Sequence, residues 1–356
     1  MALMQPGGSR TVLAAPDAFK GTADAAAVAE AVAGAARGAG WVARTLPLSD
    51  GGEGFAEVLA AARGAGGGEW RHQEVTGPLG RPVTARWWMA GTEAVVESAA
   101  ASGLPLAGGP DGNDPVGATT RGTGELVAGA VAAGARRVLV GVGGSATTDG
   151  GRGAVEAIEE SGGLRGCEVV VACDVETRFV GAAARFGPQK GATPAQVAEL
   201  TETLTAYAAE LGRRYGVDVT DAPGSGAAGG LAGGLMALGA RLVPGFEVVA
   251  GAAGLAAAVA ACDLVVTDEG RLDATSWHGK VVGGVLREAT RAGRPVLVVA
   301  GAVGPGGLEG AGAAVVRSLS DTCGPERALA DPTGCVAEVV AAYLAQLGPD
   351  RATAGA

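Results

Sequence analysis

Histidine and lysine are both scarce in this chain. Its two histidines, His72 and His278, are too few for a His-rich metal site, so any metal should be a hard, oxygen-bound ion such as Mg²⁺. Five cysteines, Cys167, Cys173, Cys262, Cys323 and Cys335, are odd in number and lack paired short spacing. That excludes a disulfide framework or zinc knuckle and fits reduced thiols. A formal charge of -10 and a pI near 4.9 leave no basic face for nucleic acid or an anionic membrane surface. Residues 1–10 show no basic region leading into an apolar core, and the longer apolar stretches are broken by charge or proline. No membrane partner and a cytoplasmic location are therefore expected. What remains is 356 residues with 48% hydrophobic and 18% charged content, enough for two domains with a sizeable core. Oligomeric state is left open, a homo-oligomer included.

Only three of the 27 basic residues are lysine, and each sits beside glycine: Phe19-Lys20-Gly21, Gln189-Lys190-Gly191 and Gly279-Lys280-Val281. An ammonium on a flexible stem is the usual point-charge contact to phosphate or carboxylate, a task for which a planar guanidinium is not equivalent. Lys20 and Lys190 are accordingly read as functional. Lys280 is balanced between function and chance.

Strand-like and helical runs alternate at both ends of the chain. Thr11 to Ala15 reads as a strand, followed by a helix carrying Val28 and Val32 on one face with Thr22 as N-cap; Trp41 to Leu48 is the next strand. Asp263 to Thr267, a helix from Val281 to Arg291, strands at Pro295 to Ala300 and Ala313 to Leu319, and a closing helix from about Val336 continue this βαβα order. Between them, Trp70 to Thr76, Arg81 to Met89 and Glu93 to Glu97 read as an antiparallel meander. Strands at Arg137 to Val142 and Glu168 to Ala172 and a long helix from Pro194 to Arg214 follow. The expected fold class is α/β, with a parallel-sheet domain built from both chain ends (10–68 and 262–348) and an inserted mixed α/β domain (69–261). Residues 1–9 and 349–356 are expected to be flexible tails.

Four predicted strands run into loops of acidic and small residues: Pro16 to Gly21, Ser49 to Gly54, Gly143 to Gly151 and Thr267 to Asp273. Ligands of open α/β sheets bind beyond the carboxyl ends of the strands, so these loops are expected to converge. Glycines let the backbone approach an anion and aim N–H groups at it, and carboxylates there can hold Mg²⁺ or accept a proton. Taken singly, Asp50 and Asp149 read equally well as helix caps and Ser145 as a turn residue. Together the clusters fit phosphoryl transfer. Asp174, closing a buried-looking strand, joins them; Trp277 and His278 read as packing or rim residues. A Gly-x-x-x-x-Gly-Lys-Ser/Thr loop is absent. Gly224 to Gly229 matches Gly-x-Gly-x-x-Gly but lacks a feeding strand, so it reads as a close-packed helix start.

Six ordered blocks closely resemble the bacterial glycerate kinase family: Ala15-Pro16-Asp17-Ala18-Phe19-Lys20-Gly21, Leu48 to Gly54, Val142 to Gly151, Phe186 to Ala192, Gly224 to Gly230 and Glu269-Gly270-Arg271-Leu272-Asp273. They span nearly the whole chain. The resemblance implies a flavodoxin-like domain paired with a second α/β domain, and ATP- and Mg²⁺-dependent phosphorylation of D-glycerate, usually at the 2-hydroxyl. The chain departs from the family at Thr148, usually Asn, at Asp268, usually Gly, and at Thr177-Arg178-Phe179, usually Asn-Pro-Leu.

On this reading Lys20 and Arg271 grip the substrate carboxylate or the transferred phosphoryl group, with Asp17, Gly51, Gly52 and Glu53 also at the substrate. Gly143, Gly144 and Ser145 donate to ATP phosphates, and Lys190 neutralises their charge. Asp50, Asp149, Asp174 and Asp268 compete for metal binding and for orienting the attacking hydroxyl. Asp149 and Asp174 are the metal candidates, and Asp50 is the first choice for base because its glycine-dense loop leaves room for substrate. A kinase for another small hydroxy acid, or a non-catalytic organic-acid or nucleotide sensor, are the alternatives.

Overall fold

The computed structural model describes residues 10–19, 21–64, 67–277 and 280–348. By contact the chain divides into two compact units, Met1–Ser49 with Val249–Ala356, and Asp50–Val248. These divisions differ from the cuts expected at 68/69 and 261/262. The helix Phe55–Ala62 packs against strands of the second unit, and the helix Leu255–Ala260 packs on Val281–Arg291 in the first. The tails at 1–9 and 349–356 lie outside the described residues.

The strands are β1 (Thr11–Ala14), β2 (Val42–Thr45), β3 (Glu69–Thr76), β4 (Pro82–Ala90), β5 (Glu93–Glu97), β6 (Arg137–Gly141), β7 (Glu168–Ala172), β8 (Arg241–Val243), β9 (Leu264–Leu272), β10 (Val296–Val303) and β11 (Val315–Ser318). In the first unit all pairs are parallel, in the order β11-β10-β9-β1-β2. Counted along this unit's own strands, that is the flavodoxin-like order 2-1-3-4-5, with its switch point between β1 and β9. Val12, Ala14, Leu264, Val266, Leu297 and Val299 point into one core layer. Against them pack α1 (Ala25–Gly38), through Val28, Ala29 and Val32, and the closing helix, through Val336, Val339 and Val340. The cap of α1 is Asp24, whose side chain accepts from Ala27 N at 2.7 Å. Thr22, expected in that role, donates its hydroxyl to Phe19 O at 3.0 Å instead. It lies in the turn before the helix. The closing helix begins earlier than expected, at Pro332, because Asp331 caps it through Gly334 N.

The second unit carries a mixed sheet, β3-β4-β5-β6-β7-β8, antiparallel from β3 to β5 and parallel from β5 to β8. The expected meander is the antiparallel part. The long helix Pro194–Tyr215 starts at a capping box formed by Thr193 and Gln196 and ends at Gly216 in the left-handed region. The loops that matter leave the carboxyl ends of β5, β6, β7 and β8, the expected ligand side of a parallel sheet. Cys167, Cys173, Cys262, Cys323 and Cys335 are all free thiols. Among the described residues no helix is long and apolar enough to cross a membrane.

Candidate active site

The four loops gather in pairs, two in each unit. In the second unit the Asp50–Gly54 loop lies against the carboxyl ends of β6 and β7. Gly143 N donates to Gly51 O at 3.3 Å. A Cβ at Gly143 would come within 2.5 Å of Gly52 Cα, and one at Gly51, which has φ +90°, within 2.7 Å of Ala172 O. Only glycine permits these backbone approaches. Gly245, just past β8, backs equally closely onto Asp50 O. The result brings Asp50, half-buried, together with Asp174, half-buried at the end of β7.

Asp174 Oδ2 accepts from Phe246 N at 3.0 Å, while its buried Oδ1 has no hydrogen-bond partner among the described residues. Burial pushes this carboxyl up to about 7; the Phe246 N–H pulls it back, and the nearby Asp50 and Glu247 charges add to the rise. Asp50 Oδ1 accepts from Gly52 N at 3.1 Å, which orders the loop internally. Glu53 is exposed at the loop's edge and Gly52 half-buried.

Asp149 stands in a different setting. Its Oδ2 accepts from Thr120 N (2.9 Å), Thr120 Oγ1 (2.8 Å) and Gly153 N (3.2 Å), and its Oδ1 from Gly151 N (3.0 Å). This carboxylate ties the start of the helix Arg152–Glu160 to Thr120. Among the described residues there is no cluster of three or more His, Cys, Asp or Glu side chains set to hold a metal ion. The buried Asp174 Oδ1, without a partner among the described residues, is an oxygen that suits a hard cation.

Lys190 is 2% exposed. Its ammonium donates to Ser145 Oγ at 2.9 Å and Thr147 O at 2.6 Å. It therefore braces the 143–151 loop from inside. Burial pulls it down to about 7, against the Asp149 charge, which raises it. Asn113, absent from the sequence reading, ties the same region together by donating to Ala146 O and Lys190 O at 3.0 and 2.9 Å. Ser145 is 8% exposed. Of the loop residues expected at ATP, Gly144 is the exposed one, in the left-handed region at φ +69°.

In the first unit the Pro16–Gly21 and Thr267–Asp273 segments meet at the switch point. Asp17 N donates to Asp268 Oδ1 at 2.7 Å, and Asp17 Oδ1 accepts from Ala18 N. Asp268 is 2% exposed, and its Oδ2 has no hydrogen-bond partner among the described residues. Burial, then the Asp17 charge, raises its carboxyl well above the ordinary range. A carboxyl so enclosed braces the Asp17 loop against β9. Arg271 is exposed on β9, and Lys280 pairs with Glu269 at 3.2 Å. Lys20, His278 and Gly279 lie outside the described residues. The Arg178 departure is neutralised at the surface by Asp221 at 2.9 Å, while Phe179 joins the core beneath the long helix.

Residues 12–161 and 159–347 match the model of the glycerate kinase family. The chain is 41% identical over 330 residues to glycerate 2-kinase of Escherichia coli K12, covering 82% of this chain and 85% of that one. It is 38% identical over 328 residues to glycerate kinase of Bacillus subtilis 168, with 82% and 85% covered. A crystal structure from Salmonella typhimurium LT2, provisionally named glycerate kinase 2, superposes with a TM-score of 0.75 at 36% identity, covering 96% of this chain and 98% of that one.

Proposed function

The chain belongs to the glycerate kinase family, and from that membership we propose that it transfers the γ-phosphoryl group of ATP to the 2-hydroxyl of D-glycerate. The observation that carries the reading is the seating of Asp50–Gly54 on Gly143 and Ala172, which leaves two carboxylates beside a bare glycine backbone at the ends of parallel strands. Such an edge lets a ligand approach the backbone closely and offers a carboxylate to the attacking hydroxyl.

In the proposed step the substrate oxygen forms a bond to the γ-phosphorus as the bond to the β–γ bridging oxygen breaks. The hydroxyl proton passes to Asp50, and ADP leaves with the electron pair. Gly144 donates its backbone N–H to a phosphate oxygen, and Lys190 with Ser145 keeps its loop in shape. Asp174, through its Oδ1, would hold Mg²⁺, which supplies charge neutralisation at the phosphates when bound. The proposed part of Arg271 and Lys20 is to grip carboxylate or phosphoryl oxygens.

A coupled assay with ATP, Mg²⁺ and D-glycerate tests the whole reading, and phosphorus NMR of the product identifies the hydroxyl used. Turnover of a different hydroxy acid in preference to D-glycerate would redirect the substrate. Tight binding of both ligands without ADP release would make the protein a sensor.

A further inference from the structure

The second unit holds a carboxyl group that the phosphoryl-transfer reading leaves unused. Glu97 ends β5, and its Oε1 accepts from Ala56 N at 2.7 Å, across 41 residues of sequence. Ala56 lies in the first turn of α2 (Phe55–Ala62), whose N-cap, Gly54 at φ 81°, offers no side chain. Glu97 thus satisfies a donor that the helix start leaves open. Beside it, Glu57 pairs with Arg86, whose guanidinium lies 4.3 Å from the Trp70 ring centroid. Glu57 Oε2 is buried with no hydrogen-bond partner among the described residues. Glu57, Glu97, Arg86 and Trp70, with three alanines, line a cavity of about 210 Å³.

Two carboxyl groups within hydrogen-bonding reach do not both ionise cheaply. A proton on Glu97 makes it the donor that Glu57 Oε2 lacks. Burial, foremost, and the Glu57 charge hold the Glu97 carboxyl up to about 8, against the Ala56 N–H and Arg86, which lower it. The charged groups around it are Glu57 from α2 and Arg86 from β4. Exposed His72 stands opposite Arg86 across the β3–β4 ladder, and the β6 partner in register, Gly141, brings no charge.

We propose that Glu97 is a positioning residue: sharing one proton with Glu57, it anchors the start of α2 and so holds the Asp50–Gly54 loop for phosphoryl transfer, and loss of that proton in alkaline solution slackens the loop. The catalytic half of this inference rests on the role proposed for Asp50. The test compares wild type, Glu97→Gln and Glu97→Ala between about pH 6.5 and 9.5. It reads kcat/KM for D-glycerate together with hydrogen exchange over residues 50–58, corrected for intrinsic exchange. Wild type should lose both protection and kcat/KM beyond about pH 8. Glu97→Gln keeps an acceptor for Ala56 and a donor for Glu57, so it should retain activity at neutral pH and lose the alkaline fall. Glu97→Ala should be slack at every pH, with kcat/KM lower by roughly tenfold or more. Alkaline loss of protection in Glu97→Gln equal to wild type overturns the proposal. Exchange does not depend on turnover, so a protein that fails to phosphorylate D-glycerate would overturn the function while leaving this test intact.

Discussion

Asp50 and Asp149 both stand in glycine-rich loops that follow predicted strands, yet their surroundings differ. Asp149 accepts four hydrogen bonds from Thr120, Gly151 and Gly153, whereas Asp50 stands beside Asp174 in a glycine-walled loop. Asp50→Asn keeps an oxygen for Gly52 N but loses the charge. It is expected to lower kcat by roughly 10²-fold or more with ATP affinity little changed. Steady-state kinetics with a melting curve decide this, and a fully active variant would move the base role to Asp174. For Asp268 the expectation concerns stability. Its proton is retained in the fold and released by the unfolded chain near 3.8. The associated stability is therefore complete below that value and declines as pH rises toward the raised folded value. Asp268→Asn keeps the acceptor for Asp17 N and removes the titration, so its melting temperature relative to wild type should climb from pH 4 to pH 8. A difference that stays flat with pH would mean Asp268 is ionised in the fold.

At the scale of elements, the site depends on two loops whose backbones touch. Gly143→Ala would drive a Cβ to 2.5 Å from Gly52 Cα, backbone that cannot swing aside as a flexible side chain can. Overpacking of this kind costs about 1–3 kcal/mol. Part of that strain should appear as displacement of the Asp50–Gly54 loop. We expect kcat/KM to fall at least roughly tenfold with far-UV circular dichroism unchanged, since strands β5 to β8 lie beneath the contact. Gly34→Ala is the control. Gly34 sits in α1 with nothing within 4 Å of its ideal Cβ, so the change should leave activity intact and raise stability by about 0.5–1 kcal/mol. Equal activity in the two variants would show that the loop contact is unimportant for turnover.

For the molecule as a whole, the scarcity of histidine and the acidic loops favour a hard, oxygen-bound cation, and Asp174 carries a buried oxygen without a partner among the described residues. Activity should vanish in EDTA and return with Mg²⁺ or Mn²⁺, with Zn²⁺ a poor substitute. Undiminished turnover in metal-free buffer would count against the proposed phosphoryl transfer.

The alternation of strands and helices, the two-ended parallel sheet and the antiparallel meander were legible in the chain because hydrophobic periodicity and turn residues act over a few positions. Glu93–Glu97, Glu168–Ala172 and Val281–Arg291 form as read, and six ordered motifs carried the family. The loops rich in acid and glycine were visible too. Their pairings were not: that Asp149 caps a helix through Thr120, that Lys190 lies inside under Ser145, that Asp268 is sealed against Asp17, and that Glu97 reaches Ala56 all join residues distant in sequence. Glu97 left one usable signal, an acid closing a predicted strand just as Asp174 follows one. Sequence alone determined which side chains could do chemistry and on which strand ends they stand. Only the tertiary structure decided what surrounds each of them, because burial and the donors and charges within a few ångströms of a carboxylate or ammonium are set by folding.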